Sequence, residues 1–259
     1  MRILDICSGT GCISLQLYAQ LQRTCPSLQV LGLDISPKAI NLSRQNILHN
    51  NIPQRQDQEH HQAISFLHTD ILSPSLDLQQ NVLNLPDHHQ PKWDLIISNP
   101  PYISQTSFSK DTTRSVRNYE PKLALVPENF TPNPLNTGGL VSSCQPEDIF
   151  YARILDLSQT LQPRRILFEV AGMDQALRVV KMVMPPSSSN NCLRGIYPIV
   201  EIWRDDPSHR PHYSDEVLEG EAGRKTVTVG DCEIPIRGSG NVRSVYLFTG
   251  RNEWKLKNW

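Results

Sequence analysis

The chain has 259 residues, a formal net charge of −1 and a hydrophobic content of 38%. This length is enough for one large α/β domain with a substantial core, while the near-neutral charge gives no electrostatic reason to expect a nucleic-acid partner or an anionic membrane surface. The six cysteines form no CxxC pair, which argues against a zinc knuckle or a disulfide framework, and no run approaches the roughly 20 apolar residues that span a membrane.

The first predicted unit is a strand over residues 3–7, a turn at Ser8-Gly9-Thr10-Gly11, and a helix whose apolar residues recur at helical spacing up to Leu21. Glycines in such a turn let the backbone approach a ligand closely, and the helix N-terminus offers free amides to a polar or anionic group. A GxG alone also fits an ordinary tight turn. Because neither GxGxxG nor a Walker-type lysine follows, we expect an adenosine ligand smaller than a dinucleotide.

The next elements repeat this order of strand and helix. A strand is predicted over residues 28–34, a helix begins at the capping pair Ser36-Pro37, and a third strand covers residues 64–67. Successive strand-helix units predict a parallel sheet with right-handed crossovers.

Acidic residues follow the second and third strands. Asp34 lies 23 residues after Gly11 (34 − 11), close to the roughly 20-residue offset at which an acidic residue meets ribose hydroxyls in nucleotide-binding folds. We expect Asp70 beside the adenine of the same ligand. The alternative for Asp70 is an ordinary solvated aspartate at a strand end.

The fourth strand, over residues 93–97, runs into Ser98-Asn99-Pro100-Pro101-Tyr102. Two prolines must end the strand, since proline lacks an amide hydrogen and fixes its own φ. At the carboxyl end of a strand, the Asn99 side-chain oxygen and the Pro100 carbonyl can each accept one hydrogen of a substrate NH2. The alternative is a turn in which Asn99 only satisfies its own backbone.

The rest of the chain continues the α/β pattern, and without a repeat or a second hydrophobic core we expect a single domain over residues 1–259. Helices are predicted over residues 147–161 and 173–184, and strands over residues 165–170, 197–203 and 244–249. Polar, proline-rich composition predicts surface insertions or loops at residues 73–91, 105–139 and 205–240. A connector is predicted at residues 185–189.

These motifs resemble, in order and spacing, those of class I S-adenosylmethionine-dependent methyltransferases that methylate planar amino groups. The matching segments are Asp5 to Leu17, Leu31 to Ala39, Thr69-Asp70 and Asn99-Pro100-Pro101-Tyr102. Asn118 to Pro121, with Leu123 to Leu125 after it, and Phe168 to Gly172, with Gln175, resemble the downstream motifs of the release-factor glutamine N5-methyltransferases. The sequence from Cys7 to Leu15 is most similar to that of the fungal mitochondrial members.

The resemblance implies a Rossmann-like, seven-stranded, mostly parallel sheet whose last strand is antiparallel. It implies S-adenosylmethionine as cofactor, and it assigns cofactor-binding positions to Asp5, Ser8, Gly9, Thr10, Gly11, Asp34, Ile35, Asp70, Ile71 and Asn99. It also assigns catalysis and substrate binding to Asn99, Pro100, Pro101 and Tyr102, and it implies that Glu120 is a further substrate-binding residue. Glu120 could instead only bond a loop amide, and Glu169 is expected to be structural.

The implied reaction is methyl transfer to the side-chain amide nitrogen of the GGQ glutamine of a peptide-chain release factor, in the mitochondrial matrix. N6-methylation of adenine in DNA or RNA is the alternative, because an exocyclic amine presents the same two hydrogens. A basic surface with aromatic side chains would support that alternative, and we see none. A third hypothesis is a non-catalytic fragment that keeps the fold, because the family's N-terminal helical domain does not precede the first strand here.

The family's usual first glycine is replaced by Cys7, a change that is tolerated where the backbone keeps φ negative. No metal is expected, since the pairs His60-His61 and His88-His89 lie in polar stretches without cysteine or carboxylate at ligand spacing. The basic residues after the fourth strand are expected to be solvated, although they could also meet a ribosomal or RNA surface. They are Arg114, Arg117 and Lys122.

Overall fold

The computed structural model describes residues 1–53, 55–56, 61–73, 93–127, 139–142, 144–184, 195–208 and 225–250. The strands of this part are β1 (Arg2–Ile6), β2 (Ser27–Asp34), β3 (Arg55–Gln56), β4 (His61–His68), β5 (Leu95–Ser98), β6 (Arg165–Glu169), β7 (Ile199–Asp206), β8 (Thr226–Val229), β9 (Cys232–Arg237) and β10 (Ser239–Phe248). The α-helices are α1 (Cys12–Leu21), α2 (Pro37–His49), α3 (Gln105–Lys110), α4 (Arg114–Tyr119), α5 (Ile149–Leu161) and α6 (Met173–Val183). Short 3₁₀ turns lie at Lys122–Ala124, Gly139–Ser142 and Pro146–Asp148.

The strands form one sheet in the order β3-β4-β2-β1-β5-β6-β10-β7-β9-β8. From β4 to β6 the neighbouring strands are parallel, whereas β10 is antiparallel to both β6 and β7. The predicted strands form the contiguous centre β4-β2-β1-β5-β6-β10-β7, which confirms the mostly parallel α/β sheet with an antiparallel last strand.

The expected number of strands is wrong for the sheet as a whole, because the described residues add β3 at one edge and β8 and β9 at the other. The strands β8 and β9 lie within the stretch 205–240, for which the composition predicts a polar insertion. They form an antiparallel hairpin across Gly230 and Asp231. Their exposed and buried residues alternate, so neither strand contains an uninterrupted apolar run, and the stretch resembles a loop in its composition.

The stretch 105–139 also differs from the expected loop, since its described part contains α3 and α4. Each of these short helices begins at a side-chain cap: the Ser104 hydroxyl accepts the Ser107 amide and the Thr113 hydroxyl accepts the Val116 amide. The polar composition that predicted a loop is therefore also the composition of a capped surface helix. Residues 128–138, most of the stretch 73–91, and the connector at 185–189 lie outside the described residues.

The core consists of two apolar layers, one on each face of the sheet, because successive residues of a strand point to opposite faces. Ile3 packs with Tyr18 of α1 and Ile40 of α2 on one face. The next residue, Leu4, packs with α5 and α6 on the other. Both layers are anchored in the parallel centre of the sheet, so β1, β2, β4 and β5 are held rigidly and their carboxyl ends open at one edge.

Candidate functional site

Four turns meet at the carboxyl edge of the parallel strands. In the sheet register Ile6, the last residue of β1, pairs with Leu33 of β2 and with Ser98 of β5, and Asp34 pairs with His68 of β4. The structure therefore brings together the starts of the segments that the sequence predicted to bind cofactor and substrate.

The turn after β1 is tied to the end of β2 by Asp34. One carboxylate oxygen, Oδ2, accepts the Gly9 amide at 2.7 Å, and the other, Oδ1, accepts the Ser36 amide at 2.8 Å. Gly9 and Gly11 both have positive φ, at 54° and 83°, which a glycine adopts without strain. A β-carbon on Gly11 would lie 2.5 Å from the Phe66 ring, so this glycine is needed both for its backbone and for its small volume.

Cys7 adopts a left-handed conformation, with φ of 63°. The condition under which we expected the missing glycine to be tolerated, a negative φ, is therefore not met. A residue with a β-carbon loses roughly 1–2 kcal/mol in this conformation. Burial of the thiol raises the pKa of Cys7, and the nearby carboxylates of Asp34 and Asp5 raise this pKa further, so the thiol is kept protonated and unreactive.

Asp5 is the buried acid of the site, with 1% of its surface exposed. Its Oδ2 accepts the Ser14 hydroxyl of α1 at 2.6 Å, whereas Oδ1 is buried and has no hydrogen-bond partner among the described residues. Burial raises the pKa of Asp5 from 3.8 to about 6, against the lowering effect of the Ser14 hydrogen bond. Sequence reasoning selected Asp5 but missed Ser14, whose only signal is its place in the first turn of α1.

The turn after β5 is anchored where it starts and where it ends. The Ser98 hydroxyl donates to the Ile6 carbonyl at 2.7 Å, and both Pro100 and Pro101 are buried. Between them and Ser98, Asn99 is exposed. The Tyr102 hydroxyl donates to Glu169 Oε1 at 3.3 Å, and burial, followed by the charge of Glu169, raises the pKa of Tyr102.

The remaining predicted site residues lie further from the paired ends of β1 and β5. Asp70 follows β4, where its Oδ1 accepts the Leu72 amide. The Ile71 side chain packs into the core, whereas that of Ile35 is 43% exposed. Glu120 ends α4 and is exposed, and nothing in the described contacts joins its side chain to Asn99.

A buried polar network behind Tyr102 was missed by the sequence reasoning. Gln175 of α6 is its centre and bonds the loop after β6, the 3₁₀ turn before α5 and the Tyr102 carbonyl. In the sequence, Gln175 stands out only as part of a matching motif. Its partners come from segments far apart in the chain, so no local pattern could have revealed them.

A family model described as a methyltransferase domain matches residues 1–143, which include every turn of this site. The chain belongs to the methyltransferase domain family. Its α/β sheet is the class I S-adenosylmethionine-dependent methyltransferase fold, and S-adenosylmethionine is its cofactor.

Curated relatives confirm the resemblance to the release-factor enzymes. The chain is 31% identical over 129 residues to a release factor glutamine methyltransferase of Flavobacterium psychrophilum, covering 50% of this chain and 36% of the relative. It is 30% identical over 130 residues to a mitochondrial MRF1 N(5)-glutamine methyltransferase of Saccharomyces cerevisiae, covering 49% and 34%. A bifunctional methyltransferase of Rickettsia prowazekii is 28% identical over 208 residues, covering 80% and 30%. In each match the chain spans about a third of the relative's length.

The residues of the turn after β1 and of the strand before it are chemically suited to bind S-adenosylmethionine. S-adenosylmethionine carries an ammonium, a carboxylate and ribose hydroxyls. Asp5 Oδ1 and Ser8 Oγ are buried without partners among the described residues, the N-terminus of α1 has no side-chain cap, and a β-carbon on Gly9 would meet no described atom within 4 Å. The end of β1 thus offers a buried, unpaired acceptor for an ammonium, and the turn after it offers free amides for a carboxylate and open space above its backbone.

Neither a metal site nor a membrane span is present in the described part of the chain. Within the described ranges no three histidine, cysteine, aspartate or glutamate side chains are grouped so that they could hold a metal ion. His60, His88 and His89 lie outside these ranges. Every helix among the described residues is too short or too polar to cross a membrane.

Proposed function

We propose that this methyltransferase transfers a methyl group to the side-chain amide nitrogen of the GGQ glutamine of a peptide-chain release factor. The observation that supports this most directly is the pairing of Ile6 with Ser98 in adjacent strands. Because of it, the cofactor turn after β1 and the Asn99-Pro100-Pro101-Tyr102 turn after β5 leave the sheet side by side. The names of the relatives support glutamine in a release factor as the acceptor.

The proposed chemistry uses the turn after β5 as a pair of hydrogen-bond acceptors. A glutamine amide is a poor nucleophile because its nitrogen lone pair is delocalised into the carbonyl. The Asn99 side-chain oxygen and the Pro100 carbonyl each accept one N–H, which orients the face of the nitrogen and stabilises the positive charge that develops there. Bound S-adenosylmethionine supplies the electrophilic methyl group. Fixed orientation of this kind can contribute roughly 7–11 kcal/mol to lowering the barrier.

The other predicted residues take supporting roles in this proposal. Tyr102 packs against the planar amide, with its hydroxyl held by Glu169. Asp34 meets the ribose hydroxyls, and Asp70 lies near the adenine. Glu120 is proposed to contact the release factor, and we further propose a single catalytic domain over residues 1–259. The mitochondrial name of the yeast relative supports a mitochondrial location, which a fluorescent fusion of the full-length protein would test.

The test is methylation by the chain with S-adenosylmethionine labelled in its methyl group. We expect label in a release factor with an intact GGQ loop and none in the same factor with the loop glutamine replaced by glutamate, which has no amide NH2. A parallel reaction contains a DNA or RNA oligonucleotide with adenine. Label in the oligonucleotide alone would replace our proposal by adenine N6-methylation. No label in any acceptor, with cofactor binding intact in calorimetry, would support a non-catalytic fragment.

A further inference from the structure

The side chain of Gln175 has a role beyond capping α6. Gln175 lies in the first turn of α6, is 3% exposed, and its Oε1 accepts the Ala171 amide just before the helix at 2.8 Å. A cap would need only this oxygen. Its amide nitrogen points elsewhere, to Asp148 Oδ1 at 2.9 Å, the Tyr102 carbonyl at 3.3 Å and the Glu147 carbonyl at 3.4 Å.

The nitrogen has two hydrogens for these three acceptors. The shortest contact takes one hydrogen for Asp148, and the carbonyls of Tyr102 and Glu147 share the other. Asp148 is fully buried and also bonded by Arg178, one turn further along α6. The nitrogen is therefore held in place by an ion pair whose carboxylate is buried and whose Arg178 side chain is partly exposed, which fixes the position of the hydrogen that reaches Tyr102.

Tyr102 thus forms hydrogen bonds with the end of β6 and with the first turn of α6. Gln175 bonds its carbonyl, and Glu169, the last residue of β6, accepts its hydroxyl. The other end of the same turn is fixed by the bond from Ser98 to Ile6. Asn99 lies between these anchors with its side chain exposed, so its placement depends on the backbone of the turn.

We propose that Gln175 is a positioning residue for methyl transfer, acting through the Tyr102 carbonyl to hold the turn in the geometry in which Asn99 and Pro100 accept the substrate NH2. This inference rests on the proposed function for its substrate. Preorganised acceptors lose much of their effect when their geometry loosens. Loss of the Gln175 donor should therefore lower kcat and leave cofactor binding unchanged.

The variant Gln175→Met keeps the size and helix propensity of the side chain but removes the whole amide, both the N–H donor and the oxygen that accepts the Ala171 amide. We expect a 10- to 100-fold lower kcat for release-factor methylation, roughly the range for a lost orienting contact, and an unchanged Kd for S-adenosylmethionine in calorimetry. Tyr151→Phe is the matched control, because the Tyr151 hydroxyl bonds Gln175 Oε1 and the Glu169 carbonyl in the same network and does not bond Tyr102. It should keep kcat within about threefold of wild type.

A second readout does not depend on turnover. Hydrogen exchange measured by mass spectrometry should become faster over residues 99–104 in Gln175→Met and stay unchanged over residues 2–21, whereas Tyr151→Phe should leave both segments unchanged. If Gln175→Met does not fold, Gln175→Asn takes its place, since the shorter amide keeps its polarity but cannot reach Tyr102. If the wild type does not methylate a release factor, the proposed function fails while the exchange data still test Gln175.

Two outcomes would overturn the inference. One is unchanged exchange over residues 99–104 in the Gln175 variants. The other is an equal fall in kcat for Tyr151→Phe, which would mean that any damage to the network acts as a general loss of packing.

Discussion

Asp5 should destabilise the folded protein at neutral pH, and Asp5→Asn should reveal this. The buried carboxyl has its pKa raised from 3.8 to about 6. One pKa unit corresponds to about 1.36 kcal/mol, so ionising Asp5 in the folded chain costs about 3 kcal/mol more than in the unfolded chain. The folded state binds more protons between these two pKa values, so stability falls as pH rises through this window.

Asparagine does not ionise, so Asp5→Asn removes this pH dependence. Its NH2 would occupy the place of an oxygen that has no partner among the described residues, at a cost of about 1–3 kcal/mol. That cost does not vary with pH and cancels when one variant is compared at two pH values. The unfolding free energy of the variant relative to wild type should therefore rise by about 2–3 kcal/mol between pH 4 and pH 7.

Urea unfolding of both proteins at half-unit pH steps measures this difference. Ser14→Ala removes the hydrogen bond that lowers the pKa of Asp5, and it should move the wild-type transition to higher pH. A difference between Asp5→Asn and wild type that stays constant from pH 4 to pH 7 would refute the reasoning, because Asp5 would then not titrate near 6 in the folded protein.

Other predictions concern the same edge of the sheet. Asn99→Ala should lower kcat at least about 100-fold and leave cofactor affinity unchanged, whereas Asp34→Ala should weaken cofactor binding at least tenfold. Steady-state kinetics and calorimetry measure the two effects, and the variant Asn241→Ala, at an exposed position, is the control. If Asn99→Ala weakened cofactor binding and Asp34→Ala lowered only kcat, the two proposed roles would have to be exchanged. Below about pH 6 the cofactor Kd should rise with falling pH as Asp5 is protonated, and a Kd independent of pH would exclude Asp5 from binding the ammonium. Cys7→Gly should change the unfolding free energy by less than about 1 kcal/mol, because relief of roughly 1–2 kcal/mol of backbone strain offsets the greater conformational freedom of glycine in the unfolded chain. Cys7→Val should lower the unfolding free energy by roughly 2 kcal/mol or more. Equal stability of the two variants in urea unfolding would contradict a left-handed Cys7.

The local pattern of the sequence was sufficient for the elements that build the site. Apolar runs, the Ser36-Pro37 cap and the prolines after β5 each act over a few residues, and they predicted the strand-helix order and the mostly parallel sheet. The 23-residue offset between Gly11 and Asp34 predicts that Asp34 meets ribose hydroxyls, and this stays a prediction; the bond between Asp34 and the Gly9 amide was not part of it. The strands, helices and turns can be predicted from the sequence because they are caused by backbone sterics and hydrophobic periodicity, both of which act between residues close together in the chain.

Only the tertiary structure decided which groups are buried, strained or bonded across the fold. Cys7 adopts its left-handed φ in a turn whose next residue, Ser8, bonds the Leu33 carbonyl of β2. The pKa of Asp5 is raised by its burial in the folded chain. The bond from Gln175 to Tyr102 joins residues 73 positions apart. Each of these features depends on contacts with segments that are distant in the sequence. A pattern of neighbouring residues cannot predict such contacts.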